Sequence, residues 1–309
     1  MPASLAATKR RLDSTRSTRQ ITQAMQMVST AKLNQIQHHT LDYENYASRV
    51  KQIMVSLVQS HNADATGNSG AKYAQLFTSR PVKKTGVLVI TSDRGLVGSY
   101  NSNILKSVMS LMDDHHLTKD NVVFLAVGRT GADFLKKRGM NVAFDYEGVN
   151  DVPKYREVHG VVKNAVNNYY DGVYDELYLV YSHYVNRIRS DVRTQKILPI
   201  SEKDLLDQTD HTKTDGKPTK VKPLAQYELD PDPETLVKVL LSQYESSLIY
   251  GSIIDAKTSE HASSANAMSS ATDNADDIIS TLQLRYNRAR QAAITTEITE
   301  ITGGMTAQE

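Results

Sequence analysis

From Ser4 to about Ser60 the chain carries neither proline nor glycine, and this absence constrains it more than any other feature. Within that stretch apolar residues recur at Ile21, Met25, Val28 and Ile36, and later at Tyr46, Val50, Ile53 and Leu57, which are helical spacings of three, four and their sums. One continuous helix of this length would be roughly 80 Å long, far beyond what an ordinary globular domain uses. Such a helix needs a partner.

The other end of the chain supplies one. After "DPDPET" at 230–235, with Pro233 placed for a helix start, the helical pattern runs nearly to the glycines at 303 and 304. Met268, Ala271, Ala275, Ile278, Leu282, Tyr286, Ala289 and Ala293 repeat in steps of 3, 4, 3, 4, 4, 3 and 4, a heptad seam with one stutter. Charge agrees with the pairing. Residues 1–60 hold eight Lys/Arg against three Asp/Glu, whereas 252–309 hold four against eight. The expectation is an antiparallel coiled coil of an N-terminal helix, 1–60, and a C-terminal helix, 230–303.

Between them the texture changes. β-rich runs at 86–91, 121–127, 141–144, 176–184 and 191–198 alternate with helical stretches at about 101–113, 130–138 and 154–170. That alternation predicts a central Rossmann-like α/β domain over 75–200, with a mostly parallel sheet and a hairpin formed by the last two strands. The polar stretch 201–222 reads as a flexible loop. The fold class expected is therefore α/β, with long terminal helices flanking a small sheet domain. An apolar fraction of 39% suits a chain of 309 residues that is not compact throughout.

Composition removes several chemistries. The absence of cysteine excludes disulfides, thiol nucleophiles and Cys-ligated metal. No apolar run approaches the roughly 20 residues that span a bilayer, so direct membrane insertion is not expected. The basic start has neither the apolar core nor the cleavage site of a secretory signal and reads as a mature start. A near-neutral chain also lacks the overall basic character of a nucleic-acid binder.

The stretch "TSDRGLVGSYN", 91–101, poses the sharpest question, because strand, glycine turn and helix often hold a phosphate. Gly95 and Gly98 give only G-x-x-G, as does "GRTGAD" at 128–133, and neither the dinucleotide fingerprint nor a P-loop is present. The turn reading, with Asp93 and Arg94 free to contact another chain, is the stronger. "DDHH" at 113–116 lacks metal-ligand spacing and reads as a solvated helix end. The tyrosines at 169, 170, 174, 178, 181 and 184 read as half-buried sheet surface. Neither a cofactor nor a metal is expected. An α/β adaptor on a coiled coil and a nucleotide-dependent enzyme with an atypical loop stay open on these residues alone.

Three stretches together, "RQITQAMQMVSTAKL" (19–33), "TSDRGLVGSYN" (91–101) and "ATDNADDIISTLQLRYNRARQAAITTEITEI" (271–301), resemble the gamma subunit of bacterial F-type ATP synthases over essentially the full length. The resemblance implies a rotor shaft without catalysis of its own, working with the alpha and beta subunits of the catalytic hexamer, an epsilon subunit and a membrane ring of c subunits. It also implies a peripheral place on the cytoplasmic face of the cell membrane. Met25, Arg290, Gln291, Thr295 and Glu297 match positions that contact the beta subunits, and Tyr227 and Asp230 match the foot on the membrane ring. Asp93, Arg94, Gly95 and Gly98 match the family's glycine turn, which the resemblance implies binds no nucleotide. The chain departs at Ser264 and Ala265, where Arg-Met is common, and at Ser99 and Tyr100 after the turn.

Overall fold

The computed structural model describes residues 5–63, 81–200 and 233–306. The elements run α1 (Leu5–Ala63), β1 (Thr85–Ile90), α2 (Tyr100–Asp114), β2 (Val122–Val127), α3 (Arg129–Lys137), β3 (Val142–Tyr146), α4 (Tyr155–Tyr170), β4 (Glu176–Tyr184), β5 (Ser190–Leu198) and α5 (Pro233–Thr306). The described elements form two compact units. Residues up to Ser29 and from Ser264 make the first, and Thr30–Ser263 make the second.

The second unit is built on a five-stranded sheet of order β3-β2-β1-β4-β5. The first four strands are parallel, and β5 closes one edge as the antiparallel arm of a hairpin with β4. β1 and β2 are buried at every residue, which is why their β-branched runs do not alternate with polar residues. Val87, Val89, Phe124 and Ala126 face Ile104 and Val108 of α2 and Leu135 of α3. On the opposite face Leu88, Ile90 and Leu125 meet Val158, Val161 and Val162 of α4, together with Met54 of α1 and Ile249 and Ile253 of α5. Tyr174 is fully buried, and a Cβ on Gly86 would come within 2.8 Å of its ring, so that glycine lets an aromatic side chain close the strand's start. The tyrosines thus divide: Tyr174 and Tyr181 are core residues, whereas Tyr170 is 58% exposed.

The first unit is a pair of antiparallel helix segments, and its seam differs from the one the apolar spacing predicts. Met268, Ala275 and Leu282 are buried as expected, but Ile278 is 50% exposed and Thr272 is buried. The inward line runs Met268, Thr272, Ala275, Ile279, Leu282 and Tyr286, in steps of 4, 3, 4, 3 and 4, with no stutter. Across it, Thr8, Leu12, Thr22 and Ser29 are buried while Ile21 and Val28 are each 59% exposed. Hydroxyls do the joining: Thr22 meets Thr272 at 2.8 Å and Ser29 meets Ser264 at 3.1 Å. Outside the seam Arg19 Nε reaches Asp276 at 2.5 Å and Arg16 reaches Gln283 at 3.0 Å. Apolar spacing misplaces part of the seam because hydroxyl side chains take some of its positions, leaving Ile21, Val28 and Ile278 outside. α5 also continues through Gly303 to Thr306, past the expected stop; a Cβ on Gly303 would touch nothing, so this glycine is not required by a turn.

Candidate functional site

Each glycine turn has a geometric reason. In "DRGLVGS" the chain reverses through left-handed conformations at Leu96 (φ 66°) and Gly98 (φ 58°) before α2 begins. Ser92 and Asn101 brace the turn: Asn101 Oδ1 accepts the Ser92 N–H at 3.0 Å and its amide donates to Ser92 Oγ at 2.7 Å. At "GRTG" the requirement is close approach. Gly128 has φ 95°, and a Cβ there would overlap the Thr91 carbonyl; a Cβ on Gly131 would lie 2.8 Å from Thr91 Oγ1. Thr91 Oγ1 uses that space to accept the Gly131 N–H at 2.9 Å.

The position where a phosphate would meet the start of α3 is held by a side chain of this protein. Asp93 Oδ1 accepts the N–H of Arg129, the first residue of α3, at 3.1 Å, and Oδ2 accepts the N–H of Gly148 at 3.1 Å. An anion at a helix N-terminus is favoured by the unpaired N–H groups and the helix dipole. Here the carboxylate of β1's own loop is that anion.

In a doubly wound sheet the ligand crevice opens where strand order reverses, here between the carboxyl ends of β1 and β4. α5 fills it. The Tyr100 hydroxyl, at the start of α2, donates to the Ala256 carbonyl at 3.1 Å. Ser182 and Ser259 meet hydroxyl to hydroxyl at 2.7 Å, His183 Nδ1 lies 2.5 Å from Asp255, and Asp255 also accepts the Tyr184 N–H at 2.9 Å.

Beside the glycine turn lies a cavity of about 390 Å³ whose walls include Asp93, Arg94, Arg129, Asp151, Lys257 and Glu260. Its charges are largely satisfied internally. Arg129 pairs with Glu147 at 2.9 Å, and buried Lys257 pairs with Glu260 at 3.0 Å. Burial pushes the Glu260 carboxyl up, opposed by Lys257. Burial likewise pushes the His261 imidazole down, opposed by Asp151 at 3.6 Å. The two histidines at 115 and 116 are exposed, and no metal-binding cluster occurs among the described residues.

The positions singled out in the sequence fall in three places. Met25 is half-buried on α1, and Arg290, Gln291, Thr295 and Glu297 are exposed on α5, all in the first unit. Asp93, Arg94, Gly95 and Gly98 lie together on the turn after β1, with Arg94, Gly95 and Gly98 exposed. Tyr227 and Asp230, like the stretch 201–222, lie outside the described residues. Sequence reading missed Asp255, His183, Ser182 and Ser259, whose pairing no spacing rule announces. It also missed the polar seam residues Thr22 and Thr272, although Thr8, Thr15 and Thr22 recur every seven residues on α1. No described helix is long and apolar enough to cross a membrane.

The pattern that defines the family described as ATP synthase matches residues 4–307. The ATP synthase gamma chain of Limosilactobacillus reuteri is 64% identical over the whole of both chains, and that of Limosilactobacillus fermentum is 65% identical, again over the whole of both. Among solved structures, a chain of the Euglena gracilis mitochondrial ATP synthase, described as OSCP/F1/c-ring, covers 98% of this chain and 94% of its own at 16% identity, with a TM-score of 0.64. A chain from the central stalk/c-ring of the Tetrahymena thermophila enzyme covers 81% of this chain and 99% of its own at 23% identity, with a TM-score of 0.56. The long terminal helices, the filled crevice and the full-length identity agree, and the chain belongs to the ATP synthase gamma chain family.

Proposed function

We propose that this chain is the central rotor shaft of an F-type ATP synthase, a non-catalytic subunit that couples rotation of a proton-driven membrane ring to ATP synthesis or hydrolysis on the beta subunits. It stands peripherally at the cytoplasmic face of the cell membrane, with the alpha and beta hexamer, an epsilon subunit and the c ring as partners. The observation that carries this reading is the inverted helix pair of the first unit. Its seam is narrow and rich in Thr, Ser and Ala, while Ile21, Val28, Ile278 and Ile298 stay exposed. Their exposure is what a helix pair surrounded by other chains requires, and it supports the shaft reading. An adaptor that dimerises through its coiled coil would be expected to bury a Leu-rich seam instead.

A shaft shifts the catalytic sites between open and closed only by contacting them differently as it turns. Met25, Arg290, Gln291, Thr295 and Glu297 are the side chains proposed to make those contacts. The alternative of a nucleotide-dependent enzyme loses its support at the switch point, where α5 and the Asp93 carboxylate occupy the ground a nucleotide needs.

The test is Mg-ATP hydrolysis by alpha and beta subunits co-expressed with and without this chain. Sustained turnover that depends on the chain, and that falls when Met25 becomes Lys or when Arg290 and Gln291 become Ala, supports the shaft; a basic residue at position 25 would add an ion pair to an acidic loop of the beta subunit and so impair coupling. A hexamer indifferent to the chain would leave the adaptor.

A further inference from the structure

We propose that Asp255 is a positioning residue that fixes the register of the sheet domain on α5, so that torque reaching either one is carried by both. The inference rests on the shaft reading above. Its starting point is that three residues of α5 within about one turn, Asp255, Ala256 and Ser259, bind the sheet domain at two places, the end of β4 and the start of α2. Asp255 takes the Tyr184 N–H at 2.9 Å through Oδ1 and the His183 ring at 2.5 Å through Oδ2. The Ala256 carbonyl takes the Tyr100 hydroxyl at 3.1 Å, and Ser259 meets Ser182 hydroxyl to hydroxyl at 2.7 Å. His183, Ser182, Ser259 and Tyr100 are all buried.

Apolar packing alone would attach the domain without fixing it. Ile249, Ile253 and Ile254 of α5 are fully or almost fully buried, and contacts of that kind hold surfaces together with little directional preference. Hydrogen bonds have direction and a short reach, so a displacement of one helical residue breaks them all at once. Removing the Asp255 carboxylate leaves the buried His183 ring and the Tyr184 N–H at the end of β4 without that acceptor, while the isoleucines still hold the domain. The predicted loss is therefore of register under load, not of attachment.

The experiment uses the complete membrane-bound complex carrying this chain, with ATP hydrolysis and ATP-driven proton uptake measured on the same vesicles. Asp255→Ala is expected to keep hydrolysis within twofold and to lower proton uptake per ATP at least about fivefold, with Asp255→Asn, which keeps one acceptor oxygen, in between. Restoration supplies the control that a merely structural role would not pass. The chain has no cysteine, and the Ser182 and Ser259 oxygens are close enough that S182C and S259C come within reach of a disulfide. In the Asp255→Ala background, oxidising that pair should restore the proton-to-ATP ratio and reducing it should abolish the gain. An unchanged ratio in Asp255→Ala, or a lowered ratio that the oxidised pair does not restore, overturns the lock. Should Asp255→Ala fail to assemble, S182A with S259A carries the same expectation of a lowered ratio, and an unchanged ratio there overturns it. Hydrolysis that proves independent of the chain altogether is a different result, which removes the shaft reading and the lock with it.

Discussion

Thr22 and Thr272 meet hydroxyl to hydroxyl at 2.8 Å inside the helix pair, at positions where a coiled coil ordinarily buries a large aliphatic side chain. Each hydroxyl also has a carbonyl of its own helix within reach, Arg19 at 3.0 Å and Met268 at 2.9 Å. Replacing both by valine keeps the shape and removes two buried polar groups together. The expected result is a helix pair stabilised by up to about 1 kcal/mol, read as a higher thermal midpoint by circular dichroism. A lower midpoint would mean that the hydroxyl contact itself holds the seam.

Asp93 supplies a second test, because one carboxylate satisfies two backbone N–H groups from different segments. Asp93→Ala is expected to cost the sheet domain about 2 kcal/mol, the range for hydrogen bonds to a charged acceptor, and Asp93→Asn less. Hydrogen exchange is the sharper measurement. The amides of Arg129 and Gly148 should lose protection well beyond their neighbours, and uniform loss across the domain would argue against a local staple.

The glycines of the two G-x-x-G stretches are not equivalent. Gly128→Ala forces a Cβ against the Thr91 carbonyl in a left-handed backbone and is expected to destabilise by at least about 3 kcal/mol. Gly95→Ala meets nothing within 4 Å and its φ lies outside the left-handed region, so urea unfolding should be unchanged. Loss of ATP-driven pumping in Gly95→Ala, with unchanged stability, would then report a contact made to another subunit at this turn.

How much of this was legible in the sequence depends on what each residue is buried against. The strand runs at 86–91 and 121–127 announced themselves because both faces of β1 and β2 are covered by the same chain. The two long helices were equally plain, α1 from its long stretch without glycine or proline and α5 from apolar residues recurring at helical spacing. The seam was not. Hydrophobic periodicity assigns the apolar residues to the interior, and in this helix pair Ile21, Val28 and Ile278 face out while Thr22 and Thr272 face in. A sequence does not mark which chain an apolar residue is buried against. The glycine turns were recognisable as turns, but that Thr91 and Asp93 occupy the places of a phosphate cradle follows only from the approach of β2 and α3 to β1.

Glu245 gives the pH prediction. It is 2% exposed on α5, and the Tyr170 hydroxyl lies 3.3 Å from both of its oxygens. Burial raises its pKa from 4.5 to about 7, with the Tyr170 hydrogen bond opposing the rise. In the unfolded chain this carboxyl ionises near its ordinary value, whereas the folded chain keeps the proton until about pH 7. Between those values folding takes up a proton, so the stability contributed by protonated Glu245 is intact below about pH 4.5, falls as pH rises, and levels off above about 7. The span of the shift corresponds to a loss on the order of 3 kcal/mol. Glu245→Gln keeps the shape and a hydrogen-bonding end but cannot ionise. Urea midpoints of the two chains should nearly coincide at about pH 5 and separate by about pH 8, with the glutamine variant the more stable. Midpoints that run parallel across the whole range would mean that water or a neighbouring group already compensates the charge, and that the buried carboxylate adds nothing to the pH dependence of this domain.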